Sequence, residues 1–324
     1  MADTLAGIDT PMNGLGKAEW VARLAEVAET EGHLEPLGKR HLATLIDAGR
    51  ILLVTFETIA GIQALSEDGH PIGWEMVRRH GWSHLCLVSD GDTWFRDRQV
   101  WAYFDRLIDD GFFEDFDRVI FYGAGPCGYA AAAFSVAAPG AQVIAVQPQA
   151  TLDPRVTEWD DRFRDQRRLD FTSRYGYAPD MLDAAEAGFV LYDPQEQMDA
   201  MHAALFTRAN VQKLRLRHMG DALQTGLLDM DVLHRLFELA ADGELDWRSF
   251  ADLFRARRDN PAYLRNLLTD MEMRGRLYHA MLLARNVVGR MNAPRIRRRL
   301  ELLEKAAAEG KFRAPPVRGA SAPR

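Results

Sequence analysis

The sequence predicts an α/β protein in which a mostly parallel sheet is sandwiched by helices and followed by a C-terminal helical subdomain. Three observations predict it. Between residues 51 and 217, short β-rich runs alternate with helical segments, the order that builds parallel sheets covered on both faces. Several of those runs end in glycines, carboxylates or histidine, residue types that suit the carboxyl edge of such a sheet. After about residue 228 the β signal stops, while apolar residues continue at helical spacing.

In chain order, residues 17–30 place Trp20, Val21, Leu24, Val27 and Ala28 on one face and acids with Arg23 on the other, which predicts a covering helix. Residues 1–40 are accordingly expected to be a helical preface to a core spanning 41–228. Strands are predicted at 51–56, 85–89, 118–122, 142–146, 188–192 and 213–217. Helices are predicted at 232–240, 247–258, 262–288 and 296–308, with breaks at Asp242-Gly243, Asn260-Pro261 and Asn292-Ala293-Pro294. They define a subdomain over 229–311 and leave 312–324 as a flexible tail rich in Ala, Pro and Arg.

Composition narrows the class of function. With 324 residues, 47% hydrophobic and 27% charged, the chain can bury one large core plus an appendage. A net charge of -7 offers no basic field for nucleic acid or an anionic membrane surface. The local exception, Arg295, Arg297, Arg298, Arg299 and Lys305, reads as a solvated helix face, with an anionic partner as the sharper alternative. Two cysteines are too few for a disulfide framework or a zinc site, so no metal site is expected and a reducing, cytoplasmic compartment is. No basic-then-apolar leader opens the chain and no uninterrupted apolar stretch is long enough for a span, so neither export nor membrane insertion is expected.

The most informative motif follows the 118–122 strand. Gly123-Ala124-Gly125-Pro126-Cys127-Gly128 leads into a small-residue helix, and Pro126 suits a helix first turn. Two chemistries share this geometry. Gly123, Gly125 and Gly128 match the dinucleotide fingerprint G-x-G-x-x-G, but the next strand ends in Gln147 where an acid for the ribose is required. The other reading is a nucleophile elbow, in which a tight strand-to-helix turn exposes a reactive side chain above the sheet.

The stretch from Phe121 to Ala130 resembles the "YGSSMGGYA" elbow of a bacterial α/β-hydrolase-like family related to polysaccharide and accessory-secretion proteins. Gln147-Pro148-Gln149 followed by Leu152-Asp153-Pro154 is similar to that family's "SPQ…DP" segment. The resemblance covers roughly residues 51–228 and implies an α/β-hydrolase fold. Aligned on Gly128-Tyr129, it puts Gly125 at the serine position and implies Asp193 and His218 as orienting acid and base, in the order nucleophile, acid, histidine. Glycine has no side chain to deprotonate, and a one-residue shift of register brings in Pro126, equally inert. The expected function is therefore a hydrolase-fold protein lacking its serine, a non-catalytic or atypical module for a small-molecule, glycan or acyl ligand, without a cofactor.

Two alternatives stay open. Cys127 sits at a helix N-terminus, where a thiolate is favoured, and it or water activated by Asp193 and His218 would serve acyl chemistry. Against this, Cys127 takes the elbow's second glycine, and its leading reading is a packed structural cysteine. Sequences resembling the whole chain also carry the name phosphoadenosine phosphosulfate reductase, a chemistry that needs an S-G-G-x-D-S-like loop and a cysteine in E-C-G-x-H. Neither motif is present, and no cysteine follows Cys127.

Thr58, Asp90, Trp94 and Gln147, with the three glycines, complete the expected ligand-binding set at strand ends. In the same hydrolase-like family the 89–97 segment corresponds to a loop beside the site, and Thr55-Phe56-Glu57-Thr58 falls where oxyanion-hole amides occur. His202 lies three residues after Asp199 and is expected to pair with it on a helix. His80 and His84 have the spacing of two metal ligands, but Gly81 argues against a helix there. The arginine-rich stretch 159–177 reads as a mixed-charge face or, alternatively, a contact for an anionic ligand.

Overall fold

The computed structural model describes residues 7–314. Its centre is an eight-stranded sheet: β1 (Gly32–Leu37), β2 (His41–Ile46), β3 (Ile51–Thr58), β4 (Ser83–Ser89), β5 (Arg118–Ala124), β6 (Gln142–Val146), β7 (Ala187–Tyr192) and β8 (Val211–Arg215). The spatial order is β1-β2-β4-β3-β5-β6-β7-β8. β2 pairs antiparallel with β1 and β4, and every other pairing is parallel. This order and these directions are those of the α/β-hydrolase fold, and the central strands β4 and β6 are buried along their whole length.

Between the strands run α1 (Lys17–Glu31), α2 (Ile59–Leu65), α3 (Trp74–His80), α4 (Arg98–Asp109), α5 (Pro126–Phe134), α6 (Pro154–Thr157), α7 (Ala178–Met181) and α8 (Gln197–Leu205). They are followed by α9 (Leu223–Asp229), α10 (Val232–Ala241) and α11 (Trp247–Leu253). α5 is buried from Cys127 to Phe134, and its alanines at 130–133 let it lie close against the sheet. Phe56, Phe104 and Phe134 pack ring on ring beside it, with centroids 4.7–6.0 Å apart.

The 1–40 preface is corrected. α1 is there, burying Trp20, Leu24, Val27 and Ala28, but the chain then enters the sheet as β1 at Gly32. β1 escapes a hydrophobic reading because it is a largely exposed edge strand carrying Pro36, which an edge tolerates since it has one unpaired side. β8, at the other edge, lies two residues earlier than expected.

The chain divides into two compact units. The first holds the sheet and also residues 221–253, so α9 to α11 group with the sheet rather than with a subdomain beginning at 229. Phe237 of α10 meets Tyr122 of β5 edge to face at 4.9 Å. The second unit comprises His218–Gly220 and the chain from Phe254 onward. Here α12 (Pro261–Met273), α13 (Leu277–Arg290) and α14 (Pro294–Ala308) bury Leu264, Leu268, Ala284, Val287, Ile296 and Leu300 against one another. The single helix expected over 262–288 is two, broken where Arg276 N–H donates to the Met271 carbonyl at 2.8 Å and closes the helix end. Arg299 is paired with Glu272, whereas Arg295, Arg297 and Arg298 are exposed on α14. Most of the expected 312–324 tail lies outside the described residues. No helix among the described residues is long and apolar enough to cross a membrane.

Candidate functional site

The turn after β5 is shaped by close backbone approach. A Cβ added at Gly123 would lie 2.1 Å from the Cys127 carbonyl oxygen, so the strand end and the start of α5 meet only because no side chain intervenes. Gly125 has φ 57° and ψ -126°, a region that side-chain-bearing residues enter at a cost. Its N–H donates to Val146 O at 2.8 Å and its carbonyl accepts from Tyr129 N at 3.0 Å, which ties the turn to β6 and starts the helix. A Cβ at Gly125 would meet nothing within 4 Å. The apex of the turn faces open space and carries no functional group.

Beside this turn lies a cavity of about 490 Å³ within the first unit. Its wall draws Glu57 and Thr58 from the end of β3, Asp92 from the loop after β4, Pro126 and Cys127 from the turn, and Gln224 and His234 from α9 and α10. Carboxylates at Glu57, Glu67, Asp68 and Asp92 face it alongside Arg78, with Phe56, Ile62, Leu65 and Leu228 as apolar lining. Ser66 is the only serine of this lining among the described residues, and its Oγ accepts from His70 N–H at 2.9 Å.

The thiol of Cys127 behaves oppositely to the helix-terminus expectation. Burial, reinforced by the neighbouring carboxylates of Glu57 and Asp92, pushes its pKa well up, so the neutral thiol is favoured. Cys86 is shifted the same way, by burial and then by Glu57. Both thiols should react at least roughly tenfold more slowly with Ellman's reagent in the native protein than in denaturant. Rapid native labelling of one equivalent would show that Cys127 is exposed to nucleophilic use.

The other expected residues take the following positions. Thr58 lines the cavity and caps α2, its Oγ accepting from Gly61 N–H at 2.9 Å. Asp90 turns away to Lys17, and its carbonyl accepts from Arg40 at 2.8 Å; Asp92 of the same loop takes the cavity position. Trp94 is 1% exposed and packs against Tyr129, Phe163 and Phe171, so its ring is core rather than a ligand contact. Gln147 spends its amide on Asp199, at 2.8 Å, and on the Leu223 N–H. It is not free to hold a ribose. Asp193 directly follows β7 and is 1% exposed, with its Oδ1 accepting from Gln195 N–H at 2.9 Å. His218 falls in the second unit, where its carbonyl accepts from Asn266 at 3.1 Å and its ring meets Tyr263 edge to face.

His202 does not pair with Asp199. Its Nδ1 accepts from Ala150 N–H at 3.1 Å, which leaves Nε2–H to donate to Asp160 at 2.9 Å. Asp199 instead receives Arg162 at 2.7 Å, and Arg162 also clasps Asp160 at 2.8 Å. The arginines of 159–177 are largely consumed in this way: Arg164 by Asp161, Arg167 by three carbonyls and Arg174 by Asp105.

One group was invisible as a constellation. On one face of β3 and β4, Thr55, Glu57, His84 and Cys86 form a buried polar box, in which Thr55 stands opposite Cys86 and both pairs are spaced i,i+2. The available signal was two polar residues at i,i+2 in strands that a parallel sheet buries on both faces. His80 takes no part, since it ends α3 and contacts Glu238.

No family model and no curated protein matches this chain. Solved structures similar to it include Est1E from Butyrivibrio proteoclasticus, at 13% identity over 64% of this chain and 98% of that one, with a TM-score of 0.41. The capsule O-acetyltransferase of Neisseria meningitidis serogroup A is similar at 8% identity over 60% and 91%, with a TM-score of 0.39. The mouse alpha/beta hydrolase domain-containing protein 10 is similar at 13% identity over 64% and 97%, with a TM-score of 0.37.

Proposed function

We propose that this chain is a hydrolase-fold protein that binds a small ligand in the cavity at the carboxyl edge of its sheet and performs no serine-dependent acyl transfer. The observation that carries this reading is Gly125: it occupies the apex of the elbow with open space before it and nothing to form an acyl-enzyme. Three further features support it. Cys127 is a buried thiol whose neutral form is favoured, Ser66 is committed to the His70 backbone, and Gly123 and Gly128 serve close backbone packing while Gly125 serves a positive φ. The carboxylate-rich polar lining beside an apolar patch suits a ligand that pairs hydroxyl or amine donors with an apolar body, and it disfavours an anionic one.

The test is intact-mass analysis after exposure to a fluorophosphonate probe. No adduct is expected on the native protein. An adduct mapping to a serine of the cavity wall would sink the reading.

A further inference from the structure

Glu57, His84 and Cys86 each present a donor atom within 4.8 Å of the others, and all three are buried. The hydrogen bonds of the box fix its protonation. Cys86 Sγ–H donates to Glu57 Oε1 at 3.3 Å, and the Thr55 hydroxyl donates its single proton to the same oxygen at 2.7 Å. Thr55 Oγ therefore accepts from His84 Nε2–H at 2.8 Å, so the imidazole is neutral and its Nδ1 is a bare acceptor. That Nδ1 is buried with no hydrogen-bond partner. Glu57 also accepts from the Ile72 N–H at 3.2 Å, but as a purely hydrogen-bonded group the box still buries a carboxyl, a thiol and an orphaned ring nitrogen.

We propose that Glu57, His84 and Cys86 form a site for a borderline-soft divalent cation of the zinc class, set into the sheet beside the cavity that Glu57 lines. The donor set is mixed thiolate, imidazole and carboxylate, which suits zinc rather than magnesium or calcium. Its charge closes: a thiolate and a carboxylate against a dication, with a neutral imidazole, leaves no net charge in the interior. Its dimensions agree too, since the 3.3 Å Sγ–Oε1 separation is close to the roughly 3.5 Å edge between sulfur and oxygen around a tetrahedral zinc. Three protein ligands leave a fourth position for water or a ligand. Binding releases the Cys86 proton to solvent, and ligation through Nε2, the ring nitrogen beside Thr55, moves the ring proton to the unpartnered Nδ1 and frees the Thr55 hydroxyl from its bridging role. Gly73 leaves the ring its room, because a Cβ there would lie 2.2 Å from the His84 ring.

The ion would enter during folding, so the test is expression of the full chain in cobalt-supplemented minimal medium. The expected result is about one cobalt per chain with a near-ultraviolet thiolate-to-cobalt charge-transfer band. Cys86→Ser should abolish the band and Glu57→Gln should lower metal content roughly tenfold or more, while Cys127→Ser keeps both. Wild-type protein that carries no cobalt, or a band that survives in Cys86→Ser, overturns the proposal. Because the wild-type measurement alone decides the first outcome, a variant that fails to fold does not rescue it. The cavity reading stands or falls separately, on the fluorophosphonate adduct.

Discussion

Gly123→Ala should destabilise the protein by about 3 kcal/mol or more, whereas Gly125→Ala, two residues on, should cost on the order of 1–3 kcal/mol. The two glycines are kept for different physical reasons. At Gly123 the added Cβ meets backbone, the Cys127 carbonyl at 2.1 Å, and the start of α5 must move to admit it. At Gly125 the Cβ meets nothing, so the whole cost is the positive φ of 57°. Urea unfolding of both variants separates the cases. Equal penalties would mean that the turn relaxes freely and that its geometry is not held by the strand-to-helix approach. A folded Gly125→Ser protein would further present a hydroxyl at the apex, which makes it the natural comparator for the fluorophosphonate probe.

How much of this was legible in the sequence depends on whether local pattern or long-range pairing decided the outcome. β3 to β7 announce themselves because strands buried on both faces are largely apolar, and β6 falls on the expected residues 142–146. β1 and β8 lie at the edges, where burial is partial and the apolar signal fades. The glycine turn was legible because strand, glycines and small-residue helix are contiguous. The polar box was not, since Glu57 and Cys86 are 29 residues apart and become neighbours only through the β3–β4 register. For the same reason His202 was given the wrong carboxylate: helical spacing favours Asp199, but the tertiary fold brings Asp160 to its Nε2.

That misassigned histidine belongs to the network with the second large expected effect. Arg162→Ala should cost about 3 kcal/mol, enough to lower Tm by roughly 6–12 °C in a domain of this size. Arg162 is itself partly exposed, but the two carboxylates it joins are not: Asp160 is 0% and Asp199 3% exposed. Removing the guanidinium leaves Asp160 with His202 and the backbone N–H of residue 162, and Asp199 with Gln147, each a carboxylate without a charged partner in a poorly solvated place. Gln147 in turn holds the Leu223 N–H at the start of α9, which supplies Gln224 and Leu228 to the cavity wall, so the loss should reach the ligand site. Arg164→Ala is the control, because its pair with Asp161 is exposed on both sides and worth little. The penalty should also depend on pH. Burial alone would raise the Asp160 pKa, but hydrogen bonds from His202 and Arg162 outweigh it and hold the carboxyl below its ordinary value. A depressed folded pKa contributes stability that is complete above the unfolded value of about 4 and is lost as pH falls below it. The difference between wild type and Arg162→Ala should accordingly be full at pH 7 and shrink in acid. A difference that is flat with pH would assign the effect of Arg162 to packing of its stem rather than to its charge.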